Sequence, residues 1–86
     1  MVSVTVRVRA GVGGQMRVQP TRVESLEEGT TLADLLDLLR QQYGVDVDRP
    51  NVLVAVNGWR VGSTESQTWL LKDRDVVAVV DAMAGG

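Results

Sequence analysis

The chain has 86 residues, 44% of them hydrophobic but only 3% aromatic, so one small domain must build its core from Val, Leu and Ala. It contains no Cys and no His, which excludes disulfides, a thiol nucleophile, an imidazole base and a Cys/His zinc site. Nine Lys and Arg against eleven Asp and Glu leave a net charge of −2, which argues against general nucleic-acid binding.

Val2, Val4, Val6 and Val8 alternate with Ser3, Thr5, Arg7 and Arg9. Period two with β-branched residues predicts a half-buried strand, its valines facing the core and Arg7 and Arg9 facing outward. The glycines between Ala10 and Gly14 predict a turn. A second strand is expected within Gln15 to Leu26, at an edge or with a bulge, because Pro20 cannot donate to a ladder. Thr31 then opens a helix that runs to Tyr43. Its hydroxyl caps the free N–H groups, and Asp34 follows at the first-turn position where Glu is more usual. Leu32, Leu35, Leu36, Leu39 and Tyr43 form one apolar stripe along it, and Gly44 is the stop signal.

Val45 to Asn51 is a polar connection containing Pro50. Val52 to Val56 predicts the third strand, and Asn57-Gly58 favours a tight hairpin turn into a short return strand at Trp59 to Val61. Gly62 to Thr68 reads as loop. Trp69 to Leu71 reads as a short turn packed on the core, with Trp69 closing it. Lys72 to Asp75 is a charged turn, and Val76 to Val80 is a last strand, apolar throughout. The order is strand, strand, helix, strand, short strand, strand. One helix cannot cover both faces of such a sheet, so the expected class is an α+β roll with one face open. The N-terminal stretch lacks a signal-peptide pattern, and no run approaches the ~20 apolar residues that span a bilayer, so a soluble cytoplasmic protein is expected.

On the open face, Ala78 and Val80 would form an apolar contact patch. Arg7, Arg9 and Arg60 would make a basic patch there. The plainer reading is a solvated face; the functional one steers an acidic partner surface. Trp59, after the tight turn, is a candidate interface anchor. Asp46 with Asp48, and Asp73 with Asp75, read as turn chemistry, and no metal site is expected. Lys72, the only lysine, reads as a turn residue.

Four segments carry a resemblance: Gly29-Thr30-Thr31-Leu32-Ala33-Asp34-Leu35-Leu36, Val54-Ala55-Val56-Asn57-Gly58, Leu71-Lys72-Asp73-Arg74-Asp75-Val76-Val77 and Ala84-Gly85-Gly86. In this order and spacing the chain resembles the sulfur-carrier proteins of the ubiquitin-like β-grasp group. That group includes the small subunit of molybdopterin synthase and the thiamine-pathway sulfur carrier. The resemblance implies a β-grasp domain over residues 1–80, with a mixed sheet and one main helix, and a flexible tail over residues 81–86. It also implies that the Gly86 carboxylate is adenylated by an E1-like adenylyltransferase using ATP and Mg²⁺. The adenylate would then become a thiocarboxylate, with a sulfurtransferase as sulfur source. That group would donate sulfur to a biosynthetic enzyme, such as a large synthase subunit, in a molybdopterin-type or another sulfur pathway.

On this reading the chain is a protein cosubstrate, not an enzyme. It holds no cofactor itself, and neither nucleic acid nor membrane is a partner. Gly86 carries the chemistry. Gly85, Ala84, Met83 and Ala82 enter the partner's active site, because small side chains let the backbone thread where bulk would clash. Six residues from Asp81 span at most ~20 Å. Val80, Ala78, Arg7, Arg60 and Trp59 would contact partners. Two alternatives stand beside it: a ubiquitin-like modifier joined to lysines through Gly86, and a β-grasp binding or regulatory module with an inert tail.

The chain departs from the family pattern in three places. Arg74 stands where relatives have Gly, so a positive φ there would carry strain. Asp81-Ala82 replaces a Pro-Pro at the root of the tail. Arg7 and Arg60 occupy outward positions that are apolar in relatives, while Val80 stays apolar.

Overall fold

The alternating valines form strand β1 (Val2–Val8), with every valine buried and Ser3 and Arg7 exposed. The computed structural model describes residues 1–8, 21–44 and 52–81. Arg9, the turn expected at Ala10 to Gly14, Pro20, the connection with Asp46 and Asp48, and the tail from Ala82 lie outside the described residues. Strand β2 (Thr21–Leu26) is an edge strand, as the proline-bearing segment suggested.

Helix α1 (Leu32–Tyr43) begins as its sequence dictates. The Thr31 hydroxyl accepts from the Asp34 amide, and the Thr31 amide donates to the Asp34 carboxylate, both at 3.2 Å. Asp therefore completes the reciprocal cap, at long hydrogen-bond distances that fit its short side chain. Gly44 takes φ 69° and ends the helix in the left-handed conformation. Leu32, Leu35, Leu36 and Leu39 are all buried.

Strand β3 (Val52–Val56) turns through Asn57 (φ 52°) and Gly58 (φ 87°) into β4 (Trp59–Arg60). Two successive positive φ values mark the hairpin turn that Asn-Gly favours. The segment expected as loop contains one helical turn, α2 (Ser63–Ser66). The Glu65 carboxylate reaches back to accept from the Gly62 amide at 3.2 Å, which holds the turn. Four residues are too few for helical periodicity to reveal it. Strand β5 (Val76–Asp81) runs one residue past the expected limit, and Asp81 pairs with Val52.

The strands form one mixed sheet in the order β2-β1-β5-β3-β4. β1 and β5 are parallel, and all other neighbours are antiparallel. The stripe of α1 packs on the face that carries Val4, Val6, Val56, Val77 and Val79, all at most 1% exposed. This is the β-grasp roll. Trp69 packs partly buried against the core, as expected. Its segment is extended rather than a turn: the Trp69 carbonyl accepts from the Leu32 amide at 2.8 Å, and Leu70 bridges Thr31. A first-turn donor of α1 that has no partner within the helix is thereby satisfied. No helix among the described residues is long and apolar enough to cross a membrane.

Arg74 adopts φ 74°, so the turn does need the conformation that glycine tolerates best. Its side chain is 92% exposed and its contact with Asp73 is 4.0 Å long, so little packing or charge attraction offsets the strain. Arg74→Gly is expected to stabilise the domain by roughly 1 kcal/mol, raising the thermal midpoint by about 4–8 °C. A melting curve that stays put or falls would show that the turn is unstrained.

Candidate functional site

Cross-strand partners share a face, so the strand register decides which residues meet. β1 places Arg7 beside Thr21 of β2 and beside Ala78 of β5. Ala78 pairs with Ala55 of β3, which pairs with Arg60 of β4. Thr21, Arg7, Ala78, Ala55 and Arg60 thus form one row across all five strands. This row lies on the face away from α1, because the intervening residues Val6, Val54, Val77 and Val79 are buried. At about 4.8 Å per strand, Arg7 and Arg60 stand roughly 14 Å apart at their backbones.

The next row toward the end of β5 pairs Val80 with Leu53. In the other direction, Val23, Thr5 and Val76 lie side by side, and Val23 is 64% exposed. Ala78, Val80, Leu53, Ala55 and Val76 are half-buried, as a pleated face without a covering helix leaves them. The apolar surface continues to the last residues of β5, which Ala82, Met83, Ala84, Gly85 and Gly86 follow in sequence. Those five residues lie outside the described part.

The structure therefore brings Arg7, Arg60, Ala78 and Val80 together. It does not bring Trp59 to them. Trp59 pairs with Val56, a core residue, and so belongs to the helix-facing side of the sheet, where it sits 72% exposed beyond the cover of α1. Leu53 and Ala55 complete the patch, although nothing singles them out in the sequence. The alternation of Val52 to Val56 was the available signal, but a strand apolar at every position does not announce which parity faces out.

Arg7 and Arg60 make no side-chain hydrogen bond or ion pair among the described residues. Two other arginines are engaged. Arg22 pairs with Glu24 at 2.6 Å on the helix-facing side of β2, and Arg40 pairs with Asp37 along α1. An open groove between α1 and β3, about 610 Å³, is bordered by Asp34, Asp37, Arg40 and also Arg60 at the sheet's outer edge. Among the described residues no three His, Cys, Asp or Glu come together as a metal site.

Asp73 and Asp75 do turn chemistry, as their spacing suggested. Asp73 accepts from the Ser3 amide at 2.7 Å. Asp75, 9% exposed, accepts from the Lys72 amide at 2.8 Å and from the Asn57 side chain at 2.9 Å. The Asn57 carbonyl oxygen in turn accepts from the Val76 amide at 2.9 Å. This clamp ties the β3–β4 turn to the start of β5 and so holds the row Ala55–Ala78 in register.

Comparison with known families matches residues 12–86 to the ThiS family. Among solved structures, Urm1 from Trypanosoma brucei superposes with a TM-score of 0.73 at 26% identity, covering 98% of this chain and 95% of that one. A putative molybdopterin converting factor subunit 1 from Pyrococcus furiosus gives a TM-score of 0.70 at 28% identity, covering 94% and 98%. SAMP1 from Haloferax volcanii gives 0.74 at 16% identity, covering 98% and 99%, a likeness of fold. No curated protein matches the sequence.

Proposed function

Because the chain belongs to the ThiS family, a group of ubiquitin-like sulfur carriers and modifiers, we propose that it carries sulfur as a thiocarboxylate on Gly86. The observation that carries this reading is that the family match runs through Gly85 and Gly86, the fourth and fifth residues after Asp81. A free α-carboxylate has a reference pKa of about 3.5 and is ionised near neutral pH, which makes it a poor electrophile. An E1-like partner would use ATP and Mg²⁺ to convert it to an acyl adenylate, releasing pyrophosphate. Hydrosulfide would then attack the carbonyl carbon, and AMP would leave with the electron pair of the broken C–O bond. The product, –COS⁻, is the sulfur donor for the accepting enzyme. The chain's part is to present a threadable tail and a docking face, so it serves as a cosubstrate.

The test is intact mass after incubation with ATP, Mg²⁺, the cognate E1-like enzyme and sulfide. Exchange of one oxygen for sulfur adds about 16 Da, nearly the gain from oxidising Met1, Met16 or Met83. Thiocarboxylate-selective alkylation separates the two. A gain that alkylates supports the carrier. Lysine-linked adducts without such a gain point instead to a modifier, and neither product with an active E1-like enzyme leaves the inert-tail module.

A further inference from the structure

We infer that the chain pairs with a second copy of itself along the outer edge of β2, antiparallel about a two-fold axis at Val23. Two five-stranded sheets then join into one. The inference stands on edge geometry and charge, independently of the carrier reading.

The two edges of the sheet differ. β4 is two residues long, while β2 runs six residues in unbroken register with β1, without Pro, Lys or a bulge. Those are devices that block pairing at an edge. The two charges of β2, Arg22 and Glu24, pair with each other at 2.6 Å and are of opposite sign. Backbone direction decides which groups the edge offers, because successive residues of a strand aim their N–H and C=O at opposite neighbours. On β1 the Thr5 amide donates to the Asp75 carbonyl at 2.9 Å, and the Ser3 carbonyl accepts from the Arg74 amide at 2.7 Å. Ser3 and Thr5 thus serve the β5 side, so Val4 and Val6 bond to their β2 partners, Glu24 and Arg22. Thr21, Val23 and Ser25 are left aiming their backbone groups outward, and no described strand lies beyond them. An antiparallel partner must oppose these outward residues to one another. A two-fold axis at Arg22 would set two guanidiniums face to face, and one at Glu24 would set two carboxylates so. An axis at Val23 sets each Arg22 opposite Glu24 of the other copy. Thr21 then opposes Ser25, Val23 opposes Val23, and about six backbone hydrogen bonds close the joint. Arg22 and Glu24 fall between the bonded pairs, where facing side chains come closest. Val23, 64% exposed in the single chain, gains a β-branched neighbour. β5 lies two strands in from this edge, so the joint leaves it uncovered.

Sedimentation equilibrium of the full chain tests this. One short strand a side makes a small interface, so a weak dimer is expected, with Kd on the order of 100 µM. Val23→Pro removes the central outward N–H and no bond to β1, and is expected to weaken pairing about tenfold or more. Arg22→Glu leaves only carboxylates at the joint and Glu24→Arg only guanidiniums, so each alone is expected to weaken self-association roughly tenfold. Mixed one to one, these two variants are expected to pair with each other, because every facing pair then joins opposite charges. Arg22→Glu/Glu24→Arg in one chain should restore the homodimer. Thermal midpoints read whether each variant is folded. Amide exchange of the unaltered chain reads the register without any substitution. Thr21, Val23 and Ser25 are expected to exchange about fourfold more slowly at ~1 mM than at ~10 µM chain, and Arg22 and Glu24 at the same rate at both. A chain that stays monomeric at the higher concentration would overturn the inference, even if its edge accepts an extended peptide. So would a Kd indifferent to Val23→Pro, or charge variants that fail to associate when mixed. None of these outcomes bears on a mass gain at Gly86, so the carrier reading stands or falls separately.

Discussion

Deleting Gly85 and Gly86 is expected to abolish ATP-dependent sulfur acceptance while shifting the unfolding free energy by less than about 0.5 kcal/mol. The truncated chain still ends in a carboxylate, on Ala84, so the chemistry of the group is unchanged. What changes is where that group can reach. Two residues of extended chain span about 7 Å, and a reacting carbonyl displaced even ~1 Å from its attack geometry can lose on the order of 100-fold in rate. Ala84 also brings a Cβ to a position where the full chain has none. Stability is expected to have no comparable stake in these residues, because chain ends make few packed contacts. Every buried apolar side chain among the described residues lies between Val2 and Val79, and the last strand ends at Asp81. Intact mass and a melting curve on the same preparation decide it. Retained sulfur acceptance would remove Gly86 as the site, and a large loss of stability would make the tail structural.

Asn57→Ala is expected to cost the domain about 3 kcal/mol, lowering the thermal midpoint by on the order of 15 °C. The substitution removes two side-chain hydrogen bonds, one of them to the Asp75 carboxylate at 2.9 Å and one from the Val76 amide at 2.9 Å. Asp75 is 9% exposed, so little water can replace the lost donor. Alanine must also hold φ 52°, where its Cβ is strained. Asn57→Gly separates the two causes. Glycine tolerates that φ but makes no side-chain bond, so it is expected to recover roughly 1 kcal/mol of the alanine loss. Asp75→Ala in both backgrounds closes a double-mutant cycle, and a coupling near zero would mean the two side chains stabilise the fold independently. An unchanged midpoint for Asn57→Ala would rule the clamp out.

The sequence read Asn57 as a turn former and nothing more. Asn-Gly announces its turn through two adjacent residues, which is local stereochemistry. The role of Asn57 as a tie to Asp75 depends on a residue 18 positions away, and only chain folding brings it close. The same contrast separates the two tryptophans. Trp69 was rightly expected on the core, since a core poor in aromatics has a place for a large apolar side chain. Trp59 is exposed, as its place after the tight turn suggested, but only the pairing of Val56 with Trp59 shows that it lies on the side of the sheet opposite Arg7 and Arg60.

The sequence dictated what depends on neighbours along the chain. The valine alternation of β1, the Thr31–Asp34 cap, the leucine stripe of α1, the Gly44 stop and the Asn57-Gly58 turn each need only a few consecutive residues. It also determined, through the absence of Cys and His, that the chain brings no nucleophilic thiol or imidazole to any reaction. Strand order and register emerge only on folding. Arg7, Ala78, Ala55 and Arg60 come from four strands and meet in one row because backbone hydrogen bonds lock each strand to its neighbour in one alignment. A slip of one residue would send every side chain of a strand to the opposite face. No local pattern encodes that alignment. It follows from burying the valines of three strands against one helix at the same time, which leaves the two arginines on the side that α1 does not cover.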